Sequence, residues 1–93
     1  MAGQKIIEDF QKYIWDSYAN WYVGITNDPK NRLFKDHGVS QNGAWIYRQA
    51  DTTEIARDVE FFFLSQGCDG GSGGGDDDSG FVYAYKKTSS TNP

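Results

Sequence analysis

Residues 21–38 read WYVGITNDPKNRLFKDHG. Trp21 to Thr26 is a run of aromatic and β-branched residues, which predicts a strand. Asn27-Asp28-Pro29 ends it. Asp28 suits a helix N-cap and Pro29 the first helical position. Gly38 suits the left-handed position after a last turn. The stretch therefore reads as strand, turn and short helix. Tyr22 leaves the strand, Arg32 sits mid-helix and His37 closes it. A phenol, a guanidinium and an imidazole are thereby expected on one small surface.

Upstream, Ile6, Ile7, Phe10, Ile14 and Tyr18 recur at spacings of three and four, which predicts a helix over residues 4–18. Downstream, residues 39–44 read as a turn. Residues 45–49 read as a short strand, with Trp45 and Tyr47 on one face and Ile46 and Arg48 on the other. Asp51-Thr52-Thr53-Glu54 has the form of a helix start, a cap with a Glu three residues on. A helix over residues 52–66 follows, stopped by Gly67. Its buried stripe is Ile55, Ala56, Val59, Phe62 and Phe63. Glu60 lies beside that stripe, half sheltered, whereas Glu54 and Asp58 face solvent. Residues 67–80, GCDGGSGGGDDDSG, are half glycine and read as a solvated loop without the pattern of a phosphate loop or an EF-hand. Phe81 to Lys86 is a clear strand, and residues 87–93 read as a frayed tail.

The chain has 93 residues, which makes one domain with a modest core built on three Trp, six Tyr and six Phe. Its net charge of −4 argues against a general basic footprint for nucleic acid but leaves room for a local positive patch. The lone Cys68 forms no internal disulfide, and no apolar run approaches a membrane span. The N-terminus lacks the apolar region of a signal peptide. A reducing cytoplasm is the expected location. Cys68 and His37 sit far apart in ordinary turn contexts and make no nucleophile pair.

Tyr22-Val23-Gly24, followed by Ile25-Thr26, Arg32-Leu33 and His37, resembles the second half of the signature of the GIY-YIG endonuclease family. There a strand carrying Tyr-Ile-Gly leads through a turn into a helix bearing an Arg, then a His or Tyr one helical turn on. Here His37 is the fifth residue after Arg32. The strand over residues 45–49 and a helix with Glu60 near its middle extend the resemblance to about residue 66. The family's opening Gly-Ile-Tyr strand has no match. Tyr13-Ile14-Trp15 comes nearest, but helical periodicity governs that segment.

The resemblance implies an α+β fold, a small three-stranded mixed or antiparallel sheet flanked by helices. Strict alternation of helix and strand alone would suggest a parallel sheet. The resemblance further implies a metal-dependent endonuclease acting on DNA. Glu60 would hold the single divalent ion, Mg²⁺ or Mn²⁺, and Arg32 the phosphate oxygens. Tyr22 or His37 would position the attacking water or take its proton. A competing expectation is a module of the same family that binds nucleic acid or protein without cutting, with dispersed site residues or an exposed aromatic patch near Trp15, Trp21 and Trp45.

One strand is missing at the start and one is surplus at the end. Residues 81–86 are therefore expected to take the vacant place, pairing with residues 21–26, with the N-terminal helix over the sheet. Fourteen connecting residues reach roughly 20 Å, enough to cross a small domain. Tyr83 or Tyr85, on one face of that strand, would then bring a hydroxyl to where the family's first Tyr sits.

Overall fold

A computed structural model describes residues 1–71 and 79–93. Its elements are α1 (Gly3–Tyr13), β1 (Trp21–Thr26), β2 (Trp45–Gln49), α2 (Thr53–Gln66) and β3 (Phe81–Lys86). A 3₁₀ turn, Tyr18–Asn20, leads into β1, and a π-helical turn, Asn31–Asp36, lies between β1 and β2. The glycine- and aspartate-rich run falls mostly on residues 72–78, outside the described residues.

The sheet has the order β1-β3-β2 and is antiparallel throughout. Trp21 pairs with Lys86 and Thr26 with Phe81 across β1 and β3. The strand from the end of the sequence thus stands beside the Tyr22 strand, and it is central. The alternation of helix and strand does not make a parallel sheet here, because β1 and β2 run in the same sense but are held apart by β3, which runs opposite to both.

Strand alternation sends Trp21, Val23, Ile25, Ile46, Val82 and Ala84 to one face, where all are buried. Ile6 and Phe10 of α1 and Ala56, Val59 and Phe63 of α2 cover that face. Phe10 and Phe63 stack with centroids 5.5 Å apart. Each such fully buried large side chain contributes roughly 1.5–3 kcal/mol. Both helices therefore lie on the same side of the sheet. The opposite face carries Tyr22, Gly24, Tyr83, Tyr85, Trp45 and Tyr47, and the π-helical turn only partly covers it through Leu33.

Helix α1 ends at Tyr13 rather than running on to Tyr18, because Ile14 is already extended. The side chains just beyond have better partners outside a helix. Asp16 accepts the indole N–H of Trp21 at 2.5 Å and pairs with Lys86 at 2.9 Å. The Ser17 hydroxyl accepts the Ala19 N–H and opens the 3₁₀ turn. Helix α2 is capped by Thr52, whose hydroxyl accepts the Ile55 N–H at 3.1 Å, so the cap lies one residue later than the Asp51-to-Glu54 spacing suggests. Gly67 ends α2 at φ 117°. The Asp28 carboxylate accepts the Asn31 N–H, as an N-cap there should, and Gly38 takes φ 67°.

The outer edge of β1 is closed by the chain leaving α2. Val23 donates to the Asp69 carbonyl and Asp69 to that of Trp21. The segment after β3 is not frayed. Thr91 Oγ1 accepts the Thr88 N–H and donates to the Thr88 carbonyl, making a tight turn that directs Asn92 back to His37. Among the described residues no helix is long and apolar enough to cross a membrane.

Candidate active site

Antiparallel register assembles the site. Tyr22 stands opposite Tyr85 and Gly24 opposite Tyr83. Ring centroids lie 5.2 Å apart for Tyr22 and Tyr85, and 6.4 Å for Tyr22 and Tyr83. His37 enters from the end of the π-helical turn, its ring 4.8 Å from that of Tyr22. Gly24 makes this packing possible. A Cβ there would sit 2.6 Å from Cζ and 2.8 Å from Cε1 of Tyr83, and closer still to its hydroxyl. Gly24→Ala is expected to cost about 1–3 kcal/mol by overpacking, read as a lowered urea midpoint with an unchanged slope.

The π-helical turn settles the interval between Arg32 and His37. The His37 N–H donates to the Arg32 carbonyl at 3.0 Å, a bond spanning five residues where an α-helix spans four. The extra residue relative to the family spacing is thus absorbed in a wider turn, and His37 still follows Arg32 by one turn. Such turns often sit at functional sites.

His37 is nearly buried, and its partners define its tautomer. Nδ1 lies 2.6 Å from the Asn92 carbonyl, which can only accept, so Nδ1 carries the proton. Nε2 is then the acceptor, and the Tyr83 hydroxyl donates to it at 2.9 Å. The Tyr85 hydroxyl lies 3.0 Å from Nδ1 and shares its proton. The Asn92 N–H also donates to the His37 carbonyl at 2.7 Å, so the tail grips this residue at two points. Burial pushes the His37 pKa down against the opposing hydrogen bond to the Asn92 carbonyl, and the nearby Arg32 charge adds to the lowering. The imidazole is neutral at pH 7. Burial, with the charge of Tyr22 next, raises the Tyr83 and Tyr85 hydroxyls far above the usual phenol range. Tyr22 is only partly buried; burial raises its pKa too, opposed by a hydrogen bond from the Gly71 N–H.

Tyr22, His37, Tyr83 and Tyr85 therefore form one contiguous cluster. Arg32 and Glu60 reach it through charge rather than contact: both are felt at the hydroxyls of Tyr22 and Tyr83. Arg32 is 40% exposed and sits 3.7 Å from Asp36. Glu60 is half-buried beside the α2 stripe, and burial raises its pKa against the offsetting charge of Arg57. Among the described residues the Glu60 carboxylate makes no hydrogen bond or ion pair, and no group of three or more His, Cys, Asp or Glu gathers to hold a metal. A lone, partly desolvated carboxylate suits a Mg²⁺-like ion, which keeps several waters and takes its other ligands from substrate phosphate.

Two contributors are backbone groups, the Asn92 carbonyl and the Gly71 N–H. No side chain advertises either. The Thr88-Ser89-Ser90-Thr91 run is a turn signal that points toward the first. Trp21 is fully buried and belongs to no surface patch, and Trp15 is exposed away from the cluster's ring contacts. Cys68 is buried and its thiol is pushed up to about 11 by that burial, which leaves it inert as a nucleophile.

A family model described as the GIY-YIG catalytic domain matches residues 11–70, from the end of α1 to just past α2. β3 lies outside the match. No curated protein and no solved structure matches the chain.

Proposed function

The chain belongs to the GIY-YIG catalytic domain family, and on that premise we propose that it is an endonuclease hydrolysing DNA phosphodiester bonds with a divalent ion. The observation that carries this reading is the hydrogen bond from Tyr83 to a neutral His37, set beside Tyr22 and within the fields of Arg32 and Glu60. A Mg²⁺ or Mn²⁺ ion on Glu60 would polarise the phosphate and ease departure of the leaving oxygen. Arg32 has the fork of donors to hold two nonbridging phosphate oxygens. Tyr22, the most exposed of the site phenols, positions the attacking water. Tyr83 takes the proton of that water on its oxygen while its own passes to His37 Nε2. The imidazolium so formed keeps its Nδ1 proton on the Asn92 carbonyl.

The near-complete burial of His37 and Tyr83 favours a second reading, in which the same surface binds nucleic acid without cutting. One assay separates the two. Supercoiled plasmid incubated with the protein in Mg²⁺ or Mn²⁺ is expected to become nicked, and EDTA to stop the conversion. Plasmid that stays supercoiled in both metals, yet is retarded by the protein in a gel, supports the second reading.

A further inference from the structure

The face of the sheet that holds the site does not end at Tyr83 and Tyr85. β2 continues it with Trp45 opposite Tyr85 and Tyr47 opposite Tyr83. Both rings are partly exposed and lie nearly parallel, 10° apart with centroids at 6.0 Å. Phe34 meets Trp45 edge-on at 5.1 Å, and Phe81 meets Tyr47 edge-on at 6.1 Å. The indole is held in place. Its Nε1–H donates to the Gln41 carbonyl at 3.1 Å, so the ring plane is set before any ligand arrives.

Trp45 also separates two shallow pockets. One, of about 410 Å³, is lined by Lys30, Phe34, Gln41, Asn42 and Trp45. The other, of about 400 Å³, is lined by Tyr13, Ile46, Tyr47 and Arg48 together with Trp45. The first contains one cation, Lys30, and no carboxylate; in the second, Arg48 comes from the other face of β2 and is paired with Asp9 at 3.1 Å. In a chain of net charge −4, Lys30 beside Trp45 is a local departure toward positive charge. Flat, fixed aromatic faces with a lysine beside them suit a ligand that alternates planar bases with phosphates. Stacking requires those bases to be unpaired, because a duplex hides the faces of its bases inside.

We propose that Trp45 and Tyr47 form a stacking platform for unpaired nucleotides beside the scissile phosphate, so that the substrate is DNA carrying a single-stranded segment. This rests on the nuclease reading for the identity of the cut strand, but the binding itself stands apart from cleavage. One base stacks on Trp45 and the next on Tyr47. The phosphate ahead of them runs toward Lys30, and the strand continues across β3 to Tyr22 and Arg32.

The test is fluorescence anisotropy in EDTA, which prevents cutting, with a labelled oligo-dT and a blunt duplex of equal length. The full chain is expected to bind oligo-dT more tightly than the duplex. Trp45→Ala should weaken oligo-dT binding by about 5–100-fold, as expected for the loss of one stacked base. Trp45→Phe should recover most of the affinity, since it keeps a ring face. Tyr47→Ala should weaken binding to a similar or smaller extent. Oligo-dT affinity unchanged in both alanine variants overturns the proposal, and so does equal binding of the blunt duplex. Plasmid that stays supercoiled in both Mg²⁺ and Mn²⁺ would overturn the nuclease reading while leaving these affinities untouched.

Discussion

Glu60→Ala is expected to lower metal-dependent cleavage by at least about a hundredfold while the protein stays folded. A metal ion's stabilisation of transition-state charge amounts to several kcal/mol, and each 1.36 kcal/mol is a factor of ten. The folded state gives up little in exchange. Burial raises the Glu60 pKa, so its ionised form is less favourable in the folded chain than in the unfolded one. A carboxyl raised in this way stabilises the fold only at pH low enough to keep it protonated, and that contribution is gone at pH 7. Alanine at this position is therefore neutral or slightly stabilising, with the melting temperature within about 4 °C of the parent. Plasmid nicking in Mg²⁺ and a thermal melt check the two halves separately. Undiminished nicking by the variant would remove Glu60 from the site.

Tyr83→Phe is expected to cost about 10²–10⁴ in cleavage rate, the usual range for loss of a positioned proton acceptor. It also leaves His37 Nε2 without its donor. A buried acceptor so orphaned costs about 1–3 kcal/mol, and the melt should show it. Tyr85→Phe is the control: its hydroxyl shares Nδ1 with the Asn92 carbonyl, so His37 keeps a partner there and the loss should be smaller. The pH dependence follows from burial of His37, which lowers its folded pKa below the ordinary value of 6.5. The hydrogen bond from Tyr83 needs the neutral ring. The stability tied to that form is complete above pH 6.5 and is lost as pH falls through the lower folded pKa. Cleavage should rise with pH through that same acidic range and level off above it. A Tyr83→Phe variant that cuts at the parental rate would place the proton acceptor elsewhere.

The sequence was most legible where local chemistry and tertiary need agree. All three strands carry alternating or continuous apolar runs between turn residues, and each lies where those runs end. Gly38 and Gly67 stop their turns with positive φ, as glycine permits. Glu60 beside its stripe is half-buried, as its spacing suggests. The end of α1 was hidden because Ile14 and Tyr18 continue the helical period, while the partners of Asp16 lie on β1 and β3 and become visible only in the fold. The π-helical turn was hidden for a related reason. Its sequence is ordinary for an α-helix, and the wider winding brings His37 to Tyr83 and Asn92 on distant parts of the chain. The tail looked unstructured because its anchor is a main-chain carbonyl, which no residue type encodes.

The strand order β1-β3-β2 has a consequence for how the molecule comes into being. β1 and β2 share no ladder with one another; among the strands of the sheet each pairs only with β3, which follows them in the sequence. During synthesis the first two strands therefore wait, with both helices already made, for a partner that emerges after them. Every ladder bond of the sheet closes a loop between distant residues, Thr26 with Phe81 among them, which places folding on the slow side for a domain of this size. The same strand supplies Tyr83. An incomplete chain thus has neither a sheet nor the Tyr83 hydroxyl beside His37, and the proposed site is completed in a single step with the closing of the fold.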